Sequence, residues 1–223
     1  MTAPAPPARQ SRNHVLSSAV GQLLPRLESY VPTESKKGDR GKLARLRRGA
    51  GKSIGEVNEA TMVFFGETPV DLYDDEADDL YTVATLFAWH PVNGDPVRDP
   101  PFRTAWGFGG SLAAIRNRDD GNEDEGVTRR FTALLNSRLE GVPTHLRQLI
   151  ALLHSRAKDT PINYSQLFFD LRGWEAADRH VQRNWAAGFW CRGSSGAAPA
   201  PPTNDDDDDD DDDDTTTATD PED

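Results

Sequence analysis

The sequence predicts an all-α fold, and three observations predict it. Apolar residues recur at i, i+3, i+4 and i+7 in successive blocks between residues 53 and 190. Helix-start signals precede several blocks, as Ser53 with Glu56 and Asn163 with Gln166. Period-2 alternation bounded by turn residues, the mark of a half-buried strand, is missing.

Taken in order, Val57, Ala60, Thr61 and Phe64 share one helical face behind the Ser53–Glu56 capping box. Leu80, Val83, Ala84 and Phe87 form the next stripe, after the acidic start Asp74–Asp79. Val127, Phe131, Leu134 and Leu135 follow, ended by Gly141 and Pro143. Leu146, Leu149, Ile150 and Leu153 are the cleanest stripe. Leu167, Phe168 and Leu171 follow Asn163 and Gln166, and Trp174, Ala177, Val181 and Trp185 close the body at helical spacing. At a mean length of about 11–12 residues this makes roughly eight helices.

The expected architecture is two small packed helical bundles. Residues 1–13 are Pro/Ala-rich at their start and are expected to be disordered. An N-terminal helical subdomain spans 14–90, a Pro/Gly/Asp linker 91–110, and a C-terminal bundle 111–192. Residues 193–223 form a polar tail, disordered by composition, that holds ten consecutive Asp at 205–214. No run of 18 apolar residues exists and the start has no apolar signal core, so a soluble, cytoplasmic protein is expected. Cys191 is the lone cysteine, which leaves no internal disulfide and no cysteine-based zinc site.

The whole-chain charge of −12 argues against a polyanionic partner, but it is misleading. Thirteen acids and no Lys or Arg lie beyond Arg192, so residues 1–192 carry a net charge of +1. Within that body the charge is uneven. Residues 36–52 hold eight bases against one acid, and residues 129–192 hold ten against five, nine of the ten being Arg. The planar guanidinium suits phosphate oxygens and stacking on bases. Arg129 and Arg130 read as the start of a helix, where its dipole disfavours cations unless an anion is near. Arg172, Arg179 and Arg183 share one face if the helix runs past Gly173. A nucleic-acid surface and a solvated basic face both fit these numbers.

Other motifs yield bland readings. Gly51-Lys52-Ser53 has the end of a phosphate-binding loop, but Leu46 stands where its first glycine belongs and no strand precedes it. Gly107, Gly109 and Gly110 lack the context of a dinucleotide fingerprint and read as a loop entering a helix. His14, His90, His145, His154 and His180 form no ligand-spaced set, and His145 and His154 read as surface or cap residues. The acidic runs Asp71–Asp79 and Asp119–Glu125 read as solvated loops. No catalytic residue, no metal site and no cofactor is expected, and the protein is not expected to be an enzyme.

An ordered set of motifs carries a resemblance. It opens with Leu43-Ala44-Arg45-Leu46-Arg47-Arg48-Gly49, Leu86-Phe87-Ala88-Trp89-His90 and Gly110-Ser111-Leu112-Ala113. It continues with Thr128-Arg129-Arg130-Phe131, the run from His145 to Leu153, and Pro161-Ile162-Asn163-Tyr164. Asp170-Leu171 with Trp174, and Trp185 with Phe189, complete it. In order and spacing over about residues 14–192, this resembles CasB, the small subunit of the type I-E CRISPR surveillance complex Cascade. The resemblance implies a helical, non-catalytic protein present in two copies. It implies contacts with the large subunit and with the backbone subunits that carry guide RNA, and a basic face that holds target DNA strands of the R-loop.

Carried over by position, the implied nucleic-acid-binding residues are Arg45, Arg47, Arg48, Arg116, Arg129, Arg130, Arg147 and Arg183. For each the alternative is a structural ion pair or a solvated arginine. Trp174, Trp185 and Phe189 read as core. The chain departs from the family pattern at His90–Asn93, in the acidic loop 119–125, which would weaken the basic face if folded over it, and in the poly-Asp tail. The rival reading is a helical adaptor whose arginines meet partner carboxylates. The tail reads as a solubilising segment or, more sharply, as a phosphate mimic that screens weak DNA binding.

Overall fold

The computed structural model describes residues 9–68, 72–94, 107–117 and 122–191. The described residues form helices and two isolated β-bridges, with no strand. The helices are α1 (Arg9–Glu28), α2 (Arg40–Arg48), α3 (Asn58–Glu67), α4 (Asp74–Trp89), α5 (Gly107–Leu112), α6 (Glu125–Leu135), α7 (Val142–Arg156), α8 (Tyr164–Arg172) and α9 (His180–Trp190). The all-α expectation holds. Residues 1–8 and 193–223 of the expected disordered ends lie outside the described residues, and α1 already begins at Arg9. Of the expected linker, 95–106 likewise lies outside them, while its last residues 107–110 open α5.

Helix α4 is the centre. Leu80, Val83, Ala84, Leu86, Phe87 and Ala88 are all fully buried, so the helix is enclosed nearly all round. It packs against α1, α2, α7 and α8, and the buried side chains from Leu16 to Phe189 make one continuous cluster. The other sequence stripes also face inward: Val127, Phe131 and Leu134 on α6, Leu146, Leu149, Ile150 and Leu153 on α7, and Leu167, Phe168 and Leu171 on α8. Trp174, Trp185 and Phe189 are core, as expected.

Charge is also buried here. Glu76 is 1% exposed and meets the Arg12 guanidinium, while its Oε2 accepts from the Tyr73 N–H at 2.9 Å. Arg12 stacks over the Tyr73 ring, 3.9 Å from its centroid. This ties the start of α1 to the start of α4. The run Asp74–Asp79 opens α4, as its reading as an acidic helix start expects, and is not a solvated loop; Glu76 and Asp79 turn inward.

Three local readings change. The Ser53 N–H does bond Glu56 at 2.8 Å, but the box closes a turn and α3 starts only at Asn58. Asn163 caps α8 through Gln166 N–H at 2.8 Å, whereas the Gln166 amide turns to Asp170 instead of reaching back. Helix α8 stops at Gly173, and Trp174–Arg179 form turns, so Arg172, Arg179 and Arg183 share no helical face. Trp174 meets Trp185 through tertiary packing, ring centroids 5.1 Å apart.

Helix α5 lies against α9, and its glycines permit this. A Cβ on Gly109 would collide with the Trp185 backbone, and Gly107 sits at φ 53° beside the Trp185 indole. The Gly107–Gly110 group thus serves close packing rather than a phosphate.

Candidate nucleic-acid interface

Helix α2 is short because both ends carry stop signals. Asp39 accepts from the Lys42 N–H at 2.9 Å, and the Gly49 N–H closes on Arg47 and Leu46 carbonyls. Leu43 and Leu46 bury one face, which leaves Arg40, Arg45, Arg47 and Arg48 on the exposed face. Lys42 is committed to structure. It donates to Glu67 at 2.8 Å and to the Tyr30 hydroxyl at 2.9 Å, and the Glu67 bond pushes its pKa up.

Arg47 is held at both ends. Its Nε donates to the Ala88 carbonyl at 2.9 Å, while the Trp89 Nε1–H donates to the Arg47 carbonyl at 3.1 Å. Its guanidinium lies 5.6 Å from the Trp89 ring centroid. From α7, the Arg147 guanidinium reaches the same ring at 5.7 Å. The Arg147 stem runs past Gly51, where φ is 76° and a Cβ would stand 3.2 Å from Arg147 Cδ. Gly51-Lys52-Ser53 is thus a turn after α2, with neither a strand before it nor a helix start at its end.

The remaining expected arginines divide by partner. Arg48 pairs with Glu59 at 2.9 Å, both well exposed. Arg45 and Arg129 are exposed and have no hydrogen-bond or ion-pair partner among the described residues. Arg130 donates to the Gly126 carbonyl at 2.9 Å. Both Arg129 and Arg130 sit in the second turn of α6, which starts at Glu125 under an Asp124 cap, so the unfavourable dipole position does not arise. Arg116 donates to the carbonyls of Phe189 and Trp190 at 2.8 and 2.9 Å and so closes the end of α9. Its own carbonyl accepts from Asp124, next to the α6 start. Arg183 is exposed on α9, where its charge acts on Asp178 but its side chain makes no hydrogen bond or close ion pair among the described residues. The fold thus joins Arg47 with Arg147 and sets Arg116 beside the α6 cap.

The acidic loop 119–125 is described only from Asn122. There Asp124 caps Val127 at 3.0 Å and pairs with Arg156 at 2.6 Å, which holds its carboxyl below the usual range. Glu123 takes the Thr128 hydroxyl. In His90–Asn93, His90 is fully buried, with Nε2 2.5 Å from the Thr160 carbonyl, and burial lowers its pKa. Its Nδ1 meets that of the exposed His154 at 3.3 Å, a contact the sequence does not show. Asn93 bonds Glu28 at 2.8 Å and bridges to Ile162, so this segment pins the end of α4.

Beyond Gly51 the surface changes sign. A cleft of about 620 Å³ is lined by Lys52 and Arg172 among Glu56, Asp75, Asp79 and Glu140. Burial pushes Asp79 up to about 6, against the pull of Arg172 at 3.3 Å. Such a wall repels phosphates and bounds the cationic patch on that side. No group of three or more His, Cys, Asp or Glu among the described residues is arranged to hold a metal ion. No helix among them is long and apolar enough to cross a membrane.

Fold and surface together define a small all-helical protein with arginines grouped around an indole. The family model of CRISPR-associated protein Cse2 matches residues 42–190. The chain belongs to the Cse2 family. Its fold is similar to that of M. ruber CasB, at 25% identity and a TM-score of 0.55, covering 79% of this chain and 93% of that one. A chain of a CRISPR RNA-guided surveillance complex is similar at 25% identity and a TM-score of 0.53, over 78% of this chain and 91% of that one. CasB from Thermus thermophilus shares the fold at 23% identity and a TM-score of 0.53, over 77% and 97%. A search of curated proteins finds no match.

Proposed function

We propose that the protein is the non-catalytic small subunit of a type I-E CRISPR-Cas complex, Cascade. It binds nucleic-acid backbone through a basic face and so stabilises the R-loop and the assembly. The observation that carries this reading is the meeting of Arg47 and Arg147 on Trp89 in a chain of the Cse2 family. Phosphates are held by guanidinium groups without base readout. R-loop formation is a near-balanced exchange, so a few backbone contacts can tip it. Its partners are guide RNA and target DNA, the large and backbone subunits, and a second copy of itself. A similar chain occurs in a CRISPR RNA-guided surveillance complex, which supports this set.

Salt-dependent binding tests it. Labelled single- and double-stranded DNA is titrated with the full chain and with a form lacking residues 204–223, whose charge opposes binding. Affinity that falls steeply with salt is expected. No binding by either form at low salt favours the second reading, a protein adaptor. That reading has one observation of its own: Met62 and Phe65 on α3 are 76% and 56% exposed, an apolar face suited to a protein partner.

A further inference from the structure

We infer that Arg47 and Arg147 act as one coupled clamp on a phosphodiester backbone, with Trp89 as the positioning residue; the inference rests on the nucleic-acid function proposed above. Four arginines among the described residues are neutralised by carboxylates. Arg12 has Glu76, Arg48 has Glu59, Arg156 has Asp124, and Arg172 has Asp75 and Asp79. Arg47 and Arg147 have no carboxylate partner among the described residues. They are organised instead by an indole, which attracts a guanidinium through its π face yet carries no charge. Neither charge is offset by a carboxylate, so both face outward to an anionic ligand.

The geometry makes the two side chains interdependent. Both guanidinium carbons lie within 6 Å of one ring centroid, so they are no more than about 11 Å apart. Arg47 spends its Nε on Ala88, which leaves its two terminal nitrogens for a ligand. Trp89 in turn bonds the Arg47 carbonyl, so ring and guanidinium fix one another. The Arg147 stem passes close to Gly51, where the absence of a side chain leaves it room to reach the ring. Ordering long cationic side chains before the ligand arrives removes part of the entropic cost of binding. The ligand is a strand that offers consecutive phosphates, and the acidic cleft beyond Gly51 turns it away on that side.

The test is binding of a fluorescent single-stranded oligonucleotide to the full chain at several salt concentrations. Arg47→Ala and Arg147→Ala are expected to weaken it roughly fivefold each. Their double variant is expected to lose no more than about tenfold, short of the roughly 25-fold that independent sites give. Trp89→Phe keeps most of the affinity. Trp89→Leu weakens binding and lowers the salt slope by about one, although the residue removed is neutral, because a displaced guanidinium no longer meets its phosphate. A purely structural Trp89 would lower the melting temperature and leave that slope alone. Additive arginine losses overturn the clamp, as does a folded Trp89→Leu with unchanged affinity and slope. Should Trp89→Leu fail to fold, the arginine cycle decides, since both arginines are exposed. A wild-type chain that binds no oligonucleotide overturns the proposed function and the clamp together, whereas binding with additive losses overturns the clamp alone.

Discussion

The indole Nε1 of Trp185 donates to Asp170 Oδ2 at 2.6 Å inside the core. Burial pushes the Asp170 carboxyl up, and the bonds from Gln166 and Trp185 pull it back. Trp185→Phe keeps most of the packing but strips a buried carboxylate of a donor. A loss of about 1–3 kcal/mol is expected in urea unfolding. An unchanged unfolding midpoint contradicts this account of the bond.

Arg12 and Glu76 join α1 to α4 with the carboxylate 1% exposed. Arg12→Ala leaves that charge with the Tyr73 N–H as its one hydrogen-bond donor among the described residues. About 3 kcal/mol of stability is expected to go, because a broken buried pair strands an uncompensated charge. Calorimetry on Arg12→Ala and on the double variant Arg12→Ala/Glu76→Gln checks it, the second losing less than the first. Equal losses reject the buried-charge explanation.

Asp79 gives stability a pH dependence. Its folded pKa is raised to about 6 by burial, and like charge from Asp75 and Asp78 adds to this. The folded chain therefore keeps a proton that the unfolded chain has released. The contribution is complete at about pH 4 and is lost as pH rises through about 6. Asp79→Asn holds the neutral form, so it is expected to raise the melting temperature at about pH 7.5 and to change it little at about pH 4. A drop at the higher pH would show instead that the ion pair with Arg172 outweighs burial.

Arg116 and Arg129 separate structure from surface. Arg116 closes the end of α9 through two carbonyls, and Arg129 has no partner among the described residues. Arg116→Ala is expected to cost about 1–2 kcal/mol of stability. Arg129→Ala stays within about 0.5 kcal/mol and weakens DNA binding. Thermal melts and binding measured on both variants decide, and a destabilised Arg129→Ala would remove Arg129 from the candidate surface.

Much of the fold was legible because burial is periodic. The stripes on α4, α6, α7 and α8 are visible as i, i+3, i+4 spacing, and the Asn163 cap needs only its neighbour three residues on. Boundaries set by competing partners were not. Glu56 satisfies Ser53 within a turn, and Gln166 prefers Asp170. The continuous 172–183 face failed at Gly173, where α8 ends. Ordered motifs singled out the candidate arginines. Their spacing gave no sign that Arg116 caps a helix from 73 residues away, or that Trp89 gathers two of them.

The sequence by itself determined the all-helical class, the uneven charge along the body and the family to which the motifs belong. Those properties are local, since each depends on residue type and on neighbours within a turn or two. Only the tertiary structure decided which arginines are neutralised, which close helices and which are left without a carboxylate among the described residues. Arg47 and Arg147 are a hundred positions apart, and no pattern in the chain relates them. They meet because α2 and α7 both pack on α4, whose last residue, Trp89, supplies the ring they share.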